Sequence, residues 1–314
     1  MRPTSYLHAW GIGLALMASG SGIVIAVAAP GQAVKPNFPV TVRDALGSTV
    51  TVRSVPQRIV SLAPAMTEVL YALGLEKRIV GVTEYCDYPP QAKSKPTVGG
   101  IVNPSVERVL ARKPDLVIGM RLNPKPVLRS LAKAGVPTFA AEPTSIQDLI
   151  TTITTIGGLT GAHGAARALT ARMKDRLRDI EKKVHGTPRP TVALLYSENP
   201  LWIAGAGTFP DHVIRLAGGR NAAVGVTGYK QYSVEALLAH NPDVILLTSM
   251  KGGDNAVRVR DFARRPSMRG LSAVKGNRVY MINADLVDRA GPRIVDGVAE
   301  MAAKLHPKAF GRSQ

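Results

Sequence analysis

The sequence predicts an α/β protein of two lobes connected by one long helix. Two similar stretches, "SVERVLARKPDLVIG" starting at Ser105 and "SVEALLAHNPDVILL" starting at Ser233, lie 128 positions apart. Short β-branched runs alternate with helical stretches on both sides of a segment that contains no proline. A duplicated unit and a strand–helix rhythm together predict two related lobes, each with a parallel sheet covered by helices on both faces.

The first half begins with a hairpin and continues as alternating strands and helices. Alternating apolar residues flank the turn at Asp44–Gly47 in "FPVTVRDALGSTVTVRSVP", a pattern typical of a β-hairpin. The apolar runs "RIVSL", "RIVGVT", "DLVIG" and "TFAAE" then predict strands, and "PAMTEVLYALG", "SVERVLAR" and "KPVLRSLAKAG" predict helices between them. We assign residues 34–160 to this N-terminal α/β lobe.

A single long helix is predicted over residues 161–186. This segment, "GAHGAARALTARMKDRLRDIEKKVHG", is rich in Ala, Leu, Arg and Lys, which favour helix. At ~1.5 Å per residue it forms a stiff connector of roughly 35 Å. The rhythm restarts at Thr191 with "TVALLY", "DHVIRLAGG", "SVEALLAHN", "DVILLT" and "RVYMI", and it ends in the amphipathic "PRIVDGVAEMAAKLHP". Residues 187–314 therefore form a second Rossmann-like lobe, and we expect a ligand cleft between the lobes at the strand ends.

The N-terminus has the pattern of an export signal. Arg2 precedes an apolar run that ends in small residues around Ala26–Ala28. We interpret residues 1–33 as a signal peptide and the mature N-terminus, so that the chain is exported to the periplasm. An uncleaved membrane anchor is the alternative, because about 20 apolar residues can span a bilayer.

Composition argues against nucleic-acid binding and catalysis. The net charge is +18, but the basic residues are scattered and are not interleaved with aromatic residues. The six histidines lack zinc-ligand spacing, and no nucleophile–base pair is evident. We therefore expect no enzyme, no cofactor and no metal site. An exported basic module that binds anionic lipid or polymer remains an alternative. The single cysteine, Cys86, excludes an internal disulfide and is expected to be buried.

Aromatic and charged residues gather in the segments that follow the predicted strands. Aromatic side chains offer a large apolar contact area together with a polar handle, which suits ligand binding. Only 5% of the chain is aromatic, so this placement is informative. The residues concerned are Tyr85, Tyr88, Tyr196, Trp202, Tyr229 and Tyr232, with Asp285, Asp288 and Arg289 near the C-terminus.

The motifs "YCDYPPQA", the two "SVE…PD" units and "ADLVDRAGPR" resemble those of periplasmic binding proteins for metal chelates. These proteins serve ABC importers of cobalamin, haem and ferric siderophores, and the chain is most similar to the members that bind vitamin B12. The resemblance implies a monomer that delivers a small metal chelate to a permease dimer in the inner membrane. It also implies that the ligand contacts are Tyr85, Tyr196, Trp202, Tyr229, Asp285 and Arg289.

The chain departs from the vitamin B12-binding members at two positions. Ile101 stands where they have a tryptophan, and Leu286 stands where they have an aromatic residue. Both changes remove area that would stack on a corrin. Haem and ferric siderophores therefore remain alternative ligands, and the basic composition suits an anionic chelate.

Each copy of the duplicated unit carries a glutamate, Glu107 or Glu235, near the start of a helix. A carboxylate there suits the positive end of the helix dipole, and Ser105 and Ser233 are plausible N-caps. The resemblance implies a second role, in which one glutamate on each lobe pairs with arginines of the permease dimer.

Overall fold

A β-hairpin begins the described part of the chain, which comprises residues 37–249 and 255–311 of the computed structural model. Strand β1 (Val40–Arg43) pairs antiparallel with β2 (Thr49–Val52). In the turn, the Asp44 carboxylate accepts the backbone N–H groups of Leu46 and Ser48 at 2.9 and 2.8 Å. The predicted signal peptide, residues 1–33, lies outside the described residues.

The N-terminal lobe contains a four-stranded parallel sheet in the order β4-β3-β5-β6. Its strands are short and almost fully buried, which explains their continuous apolar sequences. The strands are β3 (Ile59–Ser61), β4 (Ile79–Gly81), β5 (Leu116–Met120) and β6 (Thr138–Ala141), and the helices are α1 (Pro64–Ala72), α2 (Val106–Ala111), α3 (Lys125–Lys133) and α4 (Ile146–Thr160).

Helix α5 (His163–Val184) connects the lobes and lies within the predicted connector. Its buried residues, Ala166, Leu169, Met173 and Ile180, recur with helical spacing along one face. This face packs against α4 of the N-terminal lobe and against helices of the C-terminal lobe. The approach to α4 is close, because a Cβ atom added at Gly157 would lie 2.4 Å from the Cβ of Ala166.

The C-terminal sheet is mixed, which corrects the expectation of a purely parallel sheet. Its order is β10-β8-β7-β11-β12, with β9 beside β7, and β8 runs antiparallel to both of its neighbours. The chain reverses at Asn199–Pro200, so the segment that contains Trp202 forms an antiparallel partner for β7 instead of a loop. The strands are β7 (Thr191–Glu198), β8 (Leu201–Ala204), β9 (Arg220–Asn221), β10 (Tyr229–Gln231), β11 (Val244–Ser249) and β12 (Val279–Asn283).

One apolar core extends through both lobes. It includes Met66 and Leu149 of the N-terminal lobe, Met173 of α5, and Leu194 and Val298 of the C-terminal lobe. Within residues 37–249 and 255–311, no helix has the length and apolar character that crossing a membrane requires. The C-terminal helices are α6 (Phe209–Leu216), α7 (Val234–His240), α8 (Asn255–Arg264), α9 (Ser272–Lys275), α10 (Ala284–Val287) and α11 (Ile294–Leu305).

Candidate ligand-binding cleft

Exposed apolar side chains are concentrated where the sheets of the two lobes end. Nine large apolar residues are exposed in the described part of the chain, and six of them lie in this region. Single exposed apolar residues are ordinary on a protein surface, whereas a group of them marks an interaction site. The six are Tyr85, Tyr88, Val102 and Leu122 of the N-terminal lobe and Trp202 and Tyr229 of the C-terminal lobe.

The loop after β4 presents Tyr85, which is 55% exposed. The neighbouring Cys86 is buried and anchors this loop, because Thr67 Oγ1 and Thr83 Oγ1 lie 3.1 and 3.2 Å from its sulfur. Burial raises the pKa of the Cys86 thiol, so the group stays protonated at neutral pH. Cys86 therefore fixes the loop that carries Tyr85.

Val102 and Leu122 were not predicted from the sequence. Both are highly exposed, at 71% and 53%, and both lie in loops at the carboxyl end of the N-terminal sheet. The buried Asn123 ties these loops together: its amide donates to the carbonyls of Leu62 and Ile101 at 2.9 and 2.8 Å, and its Oδ1 accepts the N–H of Met120 at 2.7 Å. The only hint in the sequence is that a polar residue, Asn123, directly follows Leu122.

Three aromatic residues lie on one face of the C-terminal sheet. Tyr229 is directly opposite Ala204 and Trp202 is opposite Gln231, so both project to the same side of the paired strands β8 and β10. Tyr196 packs edge-on against Tyr229, with ring centroids 5.4 Å apart and an interplanar angle of 77°. The structure therefore brings together the three predicted aromatic contacts of this lobe.

Asp288 lies beside these tyrosines. The Tyr229 hydroxyl donates to Asp288 Oδ1 at 2.5 Å. One side of Asp288 remains exposed, but desolvation of its carboxyl group raises the pKa, and the nearby Asp285 adds to that effect. Burial and the charge of Asp288 also raise the pKa of Tyr196 and of Tyr229 well above the ordinary tyrosine value. Both hydroxyls are therefore protonated; that of Tyr229 already donates to Asp288, and that of Tyr196 is buried.

Arg289 lies within an ion-pair network that crosses between the lobes. Its Nη1 is 2.8 Å from Asp87 Oδ1 and 3.5 Å from Glu68 Oε1, and its Nε is 2.9 Å from Asp285 Oδ1. Asp285 and Arg289 were both predicted as ligand contacts, and each side chain is only about one quarter exposed, at 23% and 22%. Both side chains are thus already paired with charged groups of the protein.

Arg293 forms the second part of this network. Its Nη2 and Nε contact the two carboxylate oxygens of the buried Glu68 at 2.6 and 2.9 Å, and its guanidinium lies 3.7 Å from the centre of the Tyr88 ring. Burial alone would lower the pKa of Arg293, but the hydrogen bonds and charge of Glu68 raise it overall. Neither Glu68 nor Arg293 was predicted, because their contact joins residues 225 positions apart.

A recess between the lobes lies beside Tyr229. It measures about 320 Å³ and is lined from both sides, by Leu122 and Glu142 of the N-terminal lobe and by Thr208, Phe209 and Tyr229 of the C-terminal lobe. Apolar walls with a few polar groups are typical of small-molecule sites. Nowhere in the described ranges do three His, Cys, Asp or Glu side chains come together as metal ligands.

Glu107 and Glu235 lie in the first turns of α2 and α7, one on each lobe, and both are exposed. The hydroxyls of Ser105 and Ser233 accept backbone N–H groups at 3.1 and 3.0 Å, so both serines are N-caps as predicted. Neither glutamate forms an ion pair with another residue of the described ranges. Their carboxylates are therefore accessible to a partner.

Comparison with known proteins identifies the class. A profile of the periplasmic binding protein family matches residues 59–286. An uncharacterised ABC transporter substrate-binding lipoprotein, YvrC of Bacillus subtilis, is 34% identical over 281 residues, 87% of either chain. A cobalamin-binding protein of Halobacterium salinarum is 32% identical over 277 residues, 86% of this chain and 75% of that relative.

Solved structures agree with this assignment. A periplasmic heme-binding protein from Pseudomonas aeruginosa is 31% identical and superposes with a TM-score of 0.72, covering 81% of this chain and 94% of that one. The chain belongs to the periplasmic binding protein family, which confirms the resemblance drawn from its motifs. It is a solute-binding protein of the ABC-importer class and not an enzyme.

Proposed function

We propose that this protein captures cobalamin or a related corrinoid in the cleft between its lobes and delivers it to an ABC importer. The observation that carries the proposal is the group of exposed aromatic side chains contributed by both lobes. The relative from Halobacterium salinarum, named as a cobalamin-binding protein, supports the choice of ligand. A corrin ring offers broad apolar faces to the aromatic residues and amide groups to the polar ones.

Burial of the aromatic side chains supplies a large part of the free energy that such binding requires. Tyr85, Trp202 and Tyr229 are between 41% and 55% exposed in the free protein. If each loses roughly 100 Å² of apolar surface, each contributes about 2.5 kcal/mol at ~25 cal/mol per Å². The sum is about 7 kcal/mol before the cost of association is subtracted, and a micromolar complex requires about 8 kcal/mol net. Other apolar contacts and hydrogen bonds to the ligand edge must therefore supply the remainder.

Haem is the alternative ligand, with ferric siderophores as a further member of the same class. The heme-binding protein from Pseudomonas aeruginosa is about as similar in sequence as the cobalamin-binding relative. The cleft contains tyrosines, whose phenol oxygens are able to contact a ferric ion. A ligand titration separates these candidates.

The test is to titrate the purified mature protein with cyanocobalamin, haemin and a ferric hydroxamate and to measure the binding by calorimetry. We expect cyanocobalamin to bind most tightly. Replacing Trp202 by alanine should weaken binding by roughly tenfold or more, since about 2 kcal/mol of apolar contact is lost. Leu216, which is equally exposed at 41% but lies on α6, provides the control, and Leu216→Ala should leave the affinity unchanged. Tighter binding of haemin would favour the alternative, and no binding of any of the three would refute the ligand class.

We further propose that delivery occurs in the periplasm by docking of Glu107 and Glu235 onto basic residues of a two-fold permease dimer. The double charge reversal Glu107→Lys with Glu235→Lys should abolish ligand uptake by cells while ligand affinity stays within about twofold. Glu181→Lys, on the exposed side of α5, is the matched control for a change of surface charge. Loss of ligand affinity in the double variant would instead assign both glutamates to helix stability.

A further inference from the structure

A second recess lies at the end of the C-terminal lobe that is opposite to the cleft. The cleft adjoins the carboxyl ends of the parallel strands, whereas this recess is lined by residues at the starts of β7, β9, β11 and β12. It measures about 710 Å³, a volume typical of sites for small molecules. Its lining combines the segments 187–190 and 305–309 with Arg220, Asp243 and Arg278.

Four cationic side chains line the recess, and only one carboxylate accompanies them. The cations are Arg189, Arg220, Arg278 and Lys308, and the carboxylate is that of Asp243. None of the four cations forms an ion pair with another residue in the ranges 37–249 and 255–311. The lining residues therefore carry an excess of three positive charges.

The single carboxylate is already engaged within the protein. Asp243 Oδ2 accepts the backbone N–H and the hydroxyl of Thr191, both at 2.7 Å. Desolvation alone would raise the pKa of Asp243, but these hydrogen bonds and the charges of Arg278 and Arg220 lower it overall, so the group is ionised at neutral pH. Burial lowers the pKa of His306, which also lines the recess, so the imidazole is neutral at that pH and adds no charge.

The arginines are held in place without being neutralised. Arg189 donates to the carbonyl of Gly219 and Arg220 donates to that of Arg189, both at 3.1 Å. Arg278 donates to the carbonyl of Leu305 at 2.8 Å, and its buried Nε forms no hydrogen bond within the described residues. Because a guanidinium has five N–H groups, most of these donors are left for a ligand or for water. A buried cationic donor without an acceptor is unfavourable, and an anion nearby would offset that cost.

We propose that this recess binds a small phosphate-bearing anion, such as a diphosphate group. Guanidinium groups match phosphate oxygens with paired hydrogen bonds, and a lysine adds a point charge. Three excess positive charges suit an anion of several charges better than chloride. Pro188, Pro190 and Pro307 restrict the backbone of the lining, so little conformational entropy is lost when a ligand binds.

The phosphate group of such a ligand can come from a free solute or from the headgroup of an anionic lipid. Helices α2 and α7 lead into the amino ends of β5 and β11, so both helices begin toward the carboxyl ends of these strands. Glu107 and Glu235 lie in their first turns, at the same end as the cleft. If these glutamates dock onto the permease as proposed above, the recess faces away from the membrane, and we therefore expect a soluble anion.

The first test titrates the purified mature protein with pyrophosphate, inorganic phosphate and sodium chloride at matched ionic strength, and calorimetry measures the binding. We expect pyrophosphate to bind with a dissociation constant below about 1 mM and inorganic phosphate to bind at least about threefold more weakly. Raising the salt concentration from about 0.1 to 1 M should weaken both, because the attraction is electrostatic. Pyrophosphate that produces no more heat than chloride would overturn the proposal.

The second test removes two of the cations. Arg189→Gln with Arg220→Gln changes exposed side chains and should weaken pyrophosphate binding by about tenfold or more. Arg167→Gln with Arg172→Gln, on the exposed side of α5, makes the same change of net charge and should leave the affinity within twofold. Equal losses in both pairs would show attraction to the whole basic chain and overturn the site. Should the first pair fail to fold, the exposed Lys308→Gln replaces it, with an expected loss of about threefold.

A vesicle arm distinguishes the two sources of phosphate, and a cobalamin arm separates this site from the cleft. Sedimentation with phosphatidylglycerol vesicles, but not phosphatidylcholine vesicles, that is lost in Arg189→Gln with Arg220→Gln would assign the phosphate to a lipid headgroup and overturn the soluble source. The same variant should keep its cyanocobalamin affinity within twofold, because no lining residue is shared with the cleft. Parallel losses of pyrophosphate and cyanocobalamin binding would overturn a separate site. Absence of cyanocobalamin binding alone would refute the proposed function and leave this inference standing.

Discussion

Replacing Glu68 by glutamine should destabilise the junction between the lobes. The Glu68 side chain is 3% exposed and receives two hydrogen bonds from Arg293, at 2.6 and 2.9 Å, with Arg289 3.5 Å away. Glutamine keeps the shape and one acceptor, but its amide NH₂ group would face a guanidinium that only donates. Arg293, which is 18% exposed, would then be left without its main counter-charge.

The expected loss can be bounded from this geometry. Removal of one partner from a buried ion pair costs roughly 3–5 kcal/mol, because the remaining charge stays desolvated. Arg293 is partly exposed and still lies over the Tyr88 ring, which lowers the penalty. We therefore expect Glu68→Gln to reduce the free energy of unfolding by about 3 kcal/mol.

Urea unfolding of the ligand-free protein measures this change. A double-mutant cycle with Arg293→Gln isolates the pair, and we expect a coupling free energy of about 2 kcal/mol. Glu76→Gln is the control, because Glu76 is an exposed carboxylate that lines the same surface pocket as Glu68 and Arg293; it should change the free energy of unfolding by less than about 0.5 kcal/mol. A loss below about 0.5 kcal/mol for Glu68→Gln, or strictly additive single variants, would refute the reasoning.

Two other perturbations test the scaffold. Asn123→Ala removes three hydrogen bonds at a buried site, so the free energy of unfolding measured in urea should fall by about 2–3 kcal/mol. A change below about 1 kcal/mol would contradict the role of Asn123 in holding the two loops together. Burial, aided by the charge of Arg278, lowers the pKa of His306 below its ordinary value of 6.5. Below that pH the unfolded chain therefore binds more protons than the folded protein does. The free energy of unfolding should consequently fall as the pH drops. His306→Gln should reduce this slope, by up to ~1.4 kcal/mol per pH unit, between pH 6.5 and 5; equal slopes for both proteins would show that His306 is not the titrating group.

The sequence predicted the parts of the fold that depend on local pattern. The parallel strands of the N-terminal lobe are continuous apolar runs, and α5 is a long run of helix-favouring residues, so both were predictable. Tyr196, Trp202 and Tyr229 follow or flank strand signals in the sequence, and the structure places them together on one face of the C-terminal sheet; their contact with a ligand stays a prediction.

Features that depend on contacts between distant residues were not predictable. Strand β10, "YKQ", has no buried residue and no apolar alternation, so only its pairing with β8 defines it. Val102 and Leu122 look like ordinary loop residues until the strand ends bring them together. No local sequence pattern predicts the pairing of Glu68 with Arg293, because a glutamate on a helix and an arginine near a helix start are common and usually solvated.

The ion-pair network and the shared core bear on how this protein would dock onto a permease. A single core extends through α5 into both lobes, and Glu68 and Asp87 tie the N-terminal lobe to Arg289 and Arg293. Motion of one lobe relative to the other would have to break buried ion pairs, so the lobes are held at a fixed spacing. The proposed docking through one glutamate per lobe would depend on that spacing, because both contacts would have to form at once. Weakening the junction with Glu68→Gln should therefore lower uptake more than it lowers ligand affinity, and equal losses of both would place the junction in ligand binding alone.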